Sequence, residues 1–304
     1  MRLPPHSPVL ARPGAQGGID IQVGLASPVV LEGLGLDERT FVASLEGGRA
    51  VPPVQARRFP RVIAQLTNAG AWAQPSPPVT ASVAVHGCGG LGMEIAGVLT
   101  SAGFAVAMHD DARVAVEPAG TYAASADGTC AGAAAATLSE RGATVRVGGG
   151  GESVVVIVCT GAPDPALVSA CVLTDVPHAL VVCDGAGVWV SHLMVPGASA
   201  CARCRDIVLT RADTAWPAVS LQLGGCQLAT RRPAAPRIAL PTAAARVTAR
   251  VAGWVERADV GVAEHIAADG ELIQVPLEPQ PECGCGASGP VGDDVAAQRA
   301  RWRR

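Results

Sequence analysis

The chain has 304 residues, 49% of them hydrophobic and 16% charged, enough to bury a substantial core, and with only 3% aromatics that core must be built mainly from Ala, Val and Leu. All 23 basic side chains are arginine, so there is no lysine for a Walker-type phosphate loop, a pyridoxal phosphate Schiff base or a lysine nucleophile. A formal net charge of −3 gives no electrostatic reason to expect nucleic acid; the absence of a long apolar run argues against a membrane-spanning helix, and with no signal-like start the chain reads as cytoplasmic.

Residues 1–18 are rich in Pro and Gly, and disorder is expected there. A small unit is expected over 19–73. Ile19–Leu25 and Val29–Leu34 read as strands around the turn Ala26-Ser27-Pro28. Asp37 then caps a helix through Phe41, Val42 and Leu45 to the stop at Gly47-Gly48, and a second helix crosses Arg61–Trp72. Two strands with helices in so short a span suit a winged-helix-like α+β module. Residues 74–79 carry Pro75, Pro77 and Pro78 and form a linker, because proline opposes both helix and central strand.

Beyond the linker, strands alternate with helices. Ser82–His86 is a strand, Leu91–Ala102 a helix, Phe104–Met108 a strand and Ser125–Arg141 an Ala-rich helix. Val145–Val147 and Val154–Val158 are strands, Asp164-Pro165 opens a helix, and Ala179–Cys183 is again a strand. Trp189–Val195 reads as an added strand and Leu240–Arg257 as a helix. Glu264–Ile266 and Glu271–Val275 flank the hairpin turn Asp269-Gly270. The pattern implies an α/β fold with a Rossmann-like, mostly parallel sheet covered on both faces over 80–288, followed by a tail at 289–304.

The segment after the first strand of this domain contains G-x-G-x-x-G at Gly87, Gly89 and Gly92, with Gly90 between them. Glycine there permits a tight turn and lets phosphate approach backbone N–H groups at a helix N-terminus. Asp110 ends the second strand, at the spacing of a ribose-binding acid. The alternative is that these glycines only let strand and helix pack closely. His86 and His109 read as packed imidazoles at strand ends, and Cys88 as a thiol whose pKa a helix N-terminus can lower.

Cys201-Ala202-Arg203-Cys204 and Cys283-Gly284-Cys285 are two short-spaced thiol pairs far apart in sequence. Folded together they supply the tetrahedral sulfur shell of a structural Zn2+, with no position open for a catalytic water. A redox dithiol at Cys201 and Cys204 is the competing reading. The other six cysteines, at 88, 130, 159, 171, 183 and 226, read mostly as small buried apolar groups.

The runs VAVHGCGGLG at 83–92, HDDARV at 109–114, VPGASACARC at 195–204 and CGC at 283–285 resemble the ThiF/MoeB family of ubiquitin-activating-enzyme-like adenylyltransferases. More narrowly, IDIQVGL at 19–25, LEGG at 45–48, APDPAL at 162–167 and RADTAWPAVSLQL at 211–223 resemble the actinobacterial branch related to cyclodehydratase partner proteins of thiazole/oxazole-modified peptide biosynthesis. The resemblance runs from about Ile19 to Gly286. It implies a leader-peptide-engaging module at 19–73, a homodimer, an ATP cradle at Gly87, Gly89, Gly90 and Gly92, a ribose acid at Asp110, and zinc ligands at Cys201, Cys204, Cys283 and Cys285. It also implies a magnesium-binding Asp after the fourth strand and Arg and Lys near the triphosphate. Here the strand runs Val158-Cys159-Thr160-Gly161 without a carboxylate, the helix start Asp127-Gly128-Thr129-Cys130 lacks the Arg, and the chain has no Lys.

Losing both metal acid and cations removes the main stabilisers of phosphoryl charge. The expected function is therefore a zinc-containing member, degenerate for adenylation, that binds a peptide or small protein partner. Alternatives are an active adenylyltransferase using ATP/Mg2+ on a carrier protein or peptide, and an NAD(P)- or flavin-dependent oxidoreductase.

Overall fold

Short Val- and Ala-rich strands alternating with helices after residue 80 assemble one eight-stranded sheet, and a separate antiparallel sheet precedes it. The computed structural model describes residues 9–13, 19–23, 29–45, 53–68, 80–113, 128–184, 186–225 and 238–287. They fall into two units, Met1–Pro78 and Val79–Arg304. The linker at 74–79, the tail at 289–304, the turn at 26–28, Asp127 and Cys226 lie outside the described residues.

In the first unit β1 (Val9–Pro13), β2 (Ile19–Val23) and β3 (Val29–Leu31) pair antiparallel in that order. Strand β1 falls in the stretch expected to be disordered; five residues are short enough to be lost among the surrounding prolines and glycines. It occupies the second edge of β2, so β2 is interior and cannot take an added strand, while β3 pairs only with β2 among the described residues. Three helices follow: α1 (Leu36–Ser44), α2 (Pro53–Ala56) and α3 (Pro60–Asn68). Gly35, not Asp37, is the N-cap of α1. The Glu38 carboxylate reaches back to accept from Gly35 N–H at 2.8 Å, and Asp37 sits in the first turn, where the helix dipole favours its charge. Leu31, Phe41, Val42, Leu45, Val62 and Leu66 are buried, and Phe41 stacks on Phe59 with ring centres 4.4 Å apart.

The second unit runs β4 (Ser82–His86), α4 (Gly90–Ser101), β5 (Ala105–His109), α5 (Cys130–Glu140), β6 (Val145–Val147), β7 (Val154–Thr160), α6 (Pro165–Leu173), β8 (His178–Cys183) and β9 (Gly187–Val190). It continues with α7 (Ala202–Ala212), α8 (Trp216–Gly225), α9 (Ala239–Arg257), β10 (Glu264–Ala267) and β11 (Leu272–Gln274). The sheet order is β11-β10-β9-β8-β7-β4-β5-β6. The five strands from β6 to β8 are parallel, and β9, β10 and β11 are antiparallel additions. Strand β8 is buried at all six positions, as a strand covered on both faces must be.

Helices α4, α5 and α9 pack on one face through Ile95, Leu99, Leu138, Val247, Val251 and Trp254. The other face is covered by α6 and the start of α7, through Cys171 and Ala202. From β4 the chain steps to β5 and β6, then returns past them to β7. A right-handed return must cross the face opposite α4 and α5. Only residues 148–153 make this crossing, and Gly148, Gly149 and Gly151 adopt positive φ. The reversal leaves a crevice at the carboxyl ends of β4 and β7. Strand β9 stops at Val190, short of the expected Val195, because Ser191 turns inward and its Oγ accepts from Leu180 N–H at 2.9 Å.

Helix α9 is tied to the sheet by charge. Glu264, on β10, accepts from Arg246 and from Arg250, whose Nη2 lies 3.1 Å away; Arg250 also donates to the Ser191 carbonyl. The Arg246 hydrogen bond outweighs burial and, with the Arg250 charge, holds the Glu264 carboxyl below its usual range. A depressed carboxylate pKa contributes stability above the unfolded value, about 4.3, and loses it as pH falls through the folded value. Glu264→Gln should cost about 3 kcal/mol at neutral pH, and its urea midpoint should fall less steeply with acidification than that of the wild type.

Candidate metal centre and glycine-loop crevice

Cys201 is the N-cap of α7 and Cys204 lies in its first turn. Cys283 ends a single 3-10 turn over Pro281–Cys283; Gly284 follows at φ +65° and Gly286 at +79°, so the chain doubles back and brings Cys285 to the same spot. The sulfur separations are 3.9 Å for Cys201–Cys204, 3.4 Å for Cys201–Cys283 and 3.8 Å for Cys204–Cys285, and all four lie within 4.8 Å of one another. A tetrahedral ion about 2.3 Å from each sulfur sets separations of about 3.8 Å, so the four thiols can hold a metal ion.

Burial pushes the Cys201 and Cys283 thiols up. Burial opposes the Cys204 thiolate too, but Gln280 N–H, 3.4 Å from its sulfur, and hydrogen bonds from neighbouring thiols outweigh that and lower it. Deprotonating the whole set therefore needs a cation in its centre. Arg211 braces the ligand loop from α7, donating to Gln280 at 2.7 Å and Glu282 at 2.6 Å.

The glycine loop leaves β4 and enters α4, whose N-cap is Gly89. A Cβ at Gly87, which has φ +88°, would meet the Val158 carbonyl oxygen at 2.2 Å, and one at Gly92 would meet the Gly87 carbonyl oxygen at 1.9 Å. Close packing accounts for both. Gly90 differs: a Cβ there meets nothing within 4 Å, so the chain's own packing does not require glycine. That open ground at a helix N-terminus fits an approaching phosphate.

Asp110 lies beside the loop, but its carboxylate already accepts from Cys88 N–H at 2.8 Å and Ala112 N–H at 3.0 Å, which leaves lone pairs for one further donor such as a ribose hydroxyl. Cys88 is fully buried, so its thiol does not face the loop's solvent side. His86 and His109 stack with centres 4.4 Å apart and planes 10° from parallel. Burial, then the neighbouring His109, brings His86 down to about 4 despite Glu152 and Asp110, so His86 is neutral at pH 7.

Among the described residues no carboxylate is free for a metal at the end of β7. Asp164 caps α6, accepting from Ala166 N–H at 2.8 Å, and Asp184 accepts from Ala186 and Gly187 N–H. The residues present do not offer a magnesium site there. Sequence reading missed a cation: Arg113 lies against Gly128 beside the start of α5, brought there by an isolated bridge to Thr129. It also missed Arg205 of α7, whose guanidinium lies 4.8 Å from the Trp189 ring centre and 5.4 Å from that of Trp216. Burial pushes the nearby Cys159 thiol, on β7, up to about 12, while the Arg205 charge pulls it down. Among the described residues no helix is long and apolar enough to cross a membrane.

No protein-family model and no curated protein matches the chain. Solved structures do. E. coli MccB matches with TM-score 0.52 and 15% identity over 92% of this chain and 95% of that one. The complex of E. coli MccB with AMPCPP and selenomethionine MccA matches with TM-score 0.55 and 14% identity over 94% and 100%. The heterocyclase TruD matches with TM-score 0.56 and 15% identity over 94% of this chain but only 42% of that one. At these identities the likeness is one of fold.

Purified chain should carry about one metal ion, and Cys283→Ser should release it and lower the melting temperature, read by elemental analysis and thermal unfolding. The two glycines should separate in the same way. Gly92→Ala should destabilise by about 1–3 kcal/mol or more, whereas Gly90→Ala should leave stability unchanged and weaken any nucleotide binding seen by calorimetry.

Proposed function

We propose that the chain is a ThiF/MoeB-type protein, degenerate for adenylation, that binds a peptide or small protein partner in peptide modification. The carrying observation is the carboxyl end of β7, where Val158-Cys159-Thr160-Gly161 offers no metal-binding acid and the neighbouring Asp164 and Asp184 are spent on turns. A chain that keeps the sheet and the thiol cluster, and a cation at Arg113, but no acid to hold the metal retains binding without turnover. MccB crystallised with MccA, and the heterocyclase TruD, support peptide chemistry as the setting for this fold.

In this reading Cys201, Cys204, Cys283 and Cys285 hold a structural Zn2+. Residues 19–73 act as a winged-helix-like module in which β3, whose second edge has no partner among the described residues, takes the peptide as an added strand. A homodimer and a cytoplasmic setting belong to the same reading.

The open ground at Gly90 favours a second reading, in which ATP still binds against Gly87, Gly89, Gly90, Gly92 and Asp110 and an acyl group is adenylated. MccB crystallised with ATP supports that occupant.

Affinity capture by the full chain and by residues 79–304 tests the first reading: partner recovery should fall at least tenfold without residues 1–78, and equal recovery would remove the N-terminal module from it. ATP–pyrophosphate exchange should stay at background. Exchange that Asp110→Ala abolishes would install the second reading instead.

A further inference from the structure

The Arg205 side chain is the part of the metal knuckle that the readings above leave unused. It follows Cys204 directly, and its N–H bonds the Cys201 carbonyl at 3.3 Å, so the knuckle fixes where the side chain leaves α7. The guanidinium then runs between two indoles, Trp189 on β9 and Trp216 at the start of α8. The side chain is only 15% exposed. Its faces are well satisfied by the rings.

Its edges are not. The one charged contact, from Nη1 to Asp206 Oδ1, is 3.7 Å long, and that same oxygen accepts the Trp216 indole N–H at 3.1 Å. None of the five guanidinium N–H donors makes a hydrogen bond to a described residue. The buried Arg250 behaves differently, since it donates to Glu264 and to the Ser191 carbonyl. Donors of a charged group that lack a protein acceptor but still reach solvent are open to an outside acceptor, which gains a charge-assisted hydrogen bond there.

We propose that Arg205, walled by Trp189 and Trp216, is the seat for a carboxylate carried by the bound peptide. A planar fork of parallel N–H groups matches a carboxylate edge to edge. Indole walls suit a singly charged group attached to apolar chain better than a strongly hydrated phosphate. Val208, three residues past Arg205 on α7, and Val219, three past Trp216 on α8, share those residues' helix faces and are exposed. Residues next to the carboxylate can rest there. The inference takes from the peptide-binding reading only the carrier of the charge.

Tryptophan fluorescence of the full chain, titrated with N-acetyl-glycylglycine, its C-terminal amide, N-acetyl-aspartate amide and inorganic phosphate, tests it. A saturable change is expected with one or both carboxylates, and none with the glycylglycine amide. Response to N-acetyl-glycylglycine assigns the seat to a chain terminus, and response to N-acetyl-aspartate amide assigns it to an acidic side chain. Arg205→Gln should weaken the binding about tenfold or more at unchanged metal content, and Trp216→Phe should reduce the signal. No saturable response, an equal response to the glycylglycine amide, tighter binding of phosphate, or undiminished binding by Arg205→Gln would overturn the seat.

Should Arg205→Gln lose its metal, Arg205→Lys decides: it keeps the charge without the fork, so full binding overturns the proposal and tenfold loss supports it. Carboxylate binding without peptide capture would sink the functional reading and leave the seat standing. Peptide capture without a carboxylate response would sink the seat alone.

Discussion

Four sulfurs gathered within 4.8 Å of one another can all carry negative charge only with a cation among them, and their convergence ties together the last third of the chain. Cys201 and Cys204 start α7; Cys283 and Cys285 end a loop some eighty residues later. Joining them pins the loop after β11 onto α7, with Gln280 and Arg211 as the outer brace. Ala200, Ile207 and Leu277 pack around the sulfurs, so the knuckle works as a small satellite core where the chain has few aromatics to spend.

The crevice shows how one motif can serve two purposes. Gly87 and Gly92 answer to packing, since a methyl at either would strike backbone oxygen. Gly90 answers to nothing among the described residues. Loop and acid leave room for an occupant, while the end of β7 carries no carboxylate among the described residues.

Much of this was legible in the residues. Strand, glycine loop, helix, strand and acid lie within about thirty consecutive positions, and the two cysteine pairs announce themselves by spacing. What escaped notice depends on contacts far apart in the chain. Trp189, Arg205 and Trp216 belong to three different elements, and no periodicity joins them. Strand β1 was hidden by its prolines and glycines, and its pairing makes β2 interior. Helices α7 and α8 lie where the sequence lost its regular alternation: α7 buries only Ala202 and Cys204, and α8 buries none of 216–223, so neither carries a clear apolar stripe. Asp37 looked like a cap because aspartate favours that position, but Gly35 begins the turn and Glu38 completes it.

The crossing from β6 to β7 gives the sheet unequal sides. Three helices stiffen one face, while over β5 and β4 the other is spanned by a rope of four glycines, Gly148 to Gly151, between the Arg146–Glu152 pair. Side chains at Gly148, Gly150 and Gly151 would project into open space. Each doubling of such a rope adds only about 0.6 kcal/mol of closure entropy. Here the architecture has room to grow: a helix or a whole recognition segment inserted at this point would lengthen the connection without disturbing the register of the strands on either side.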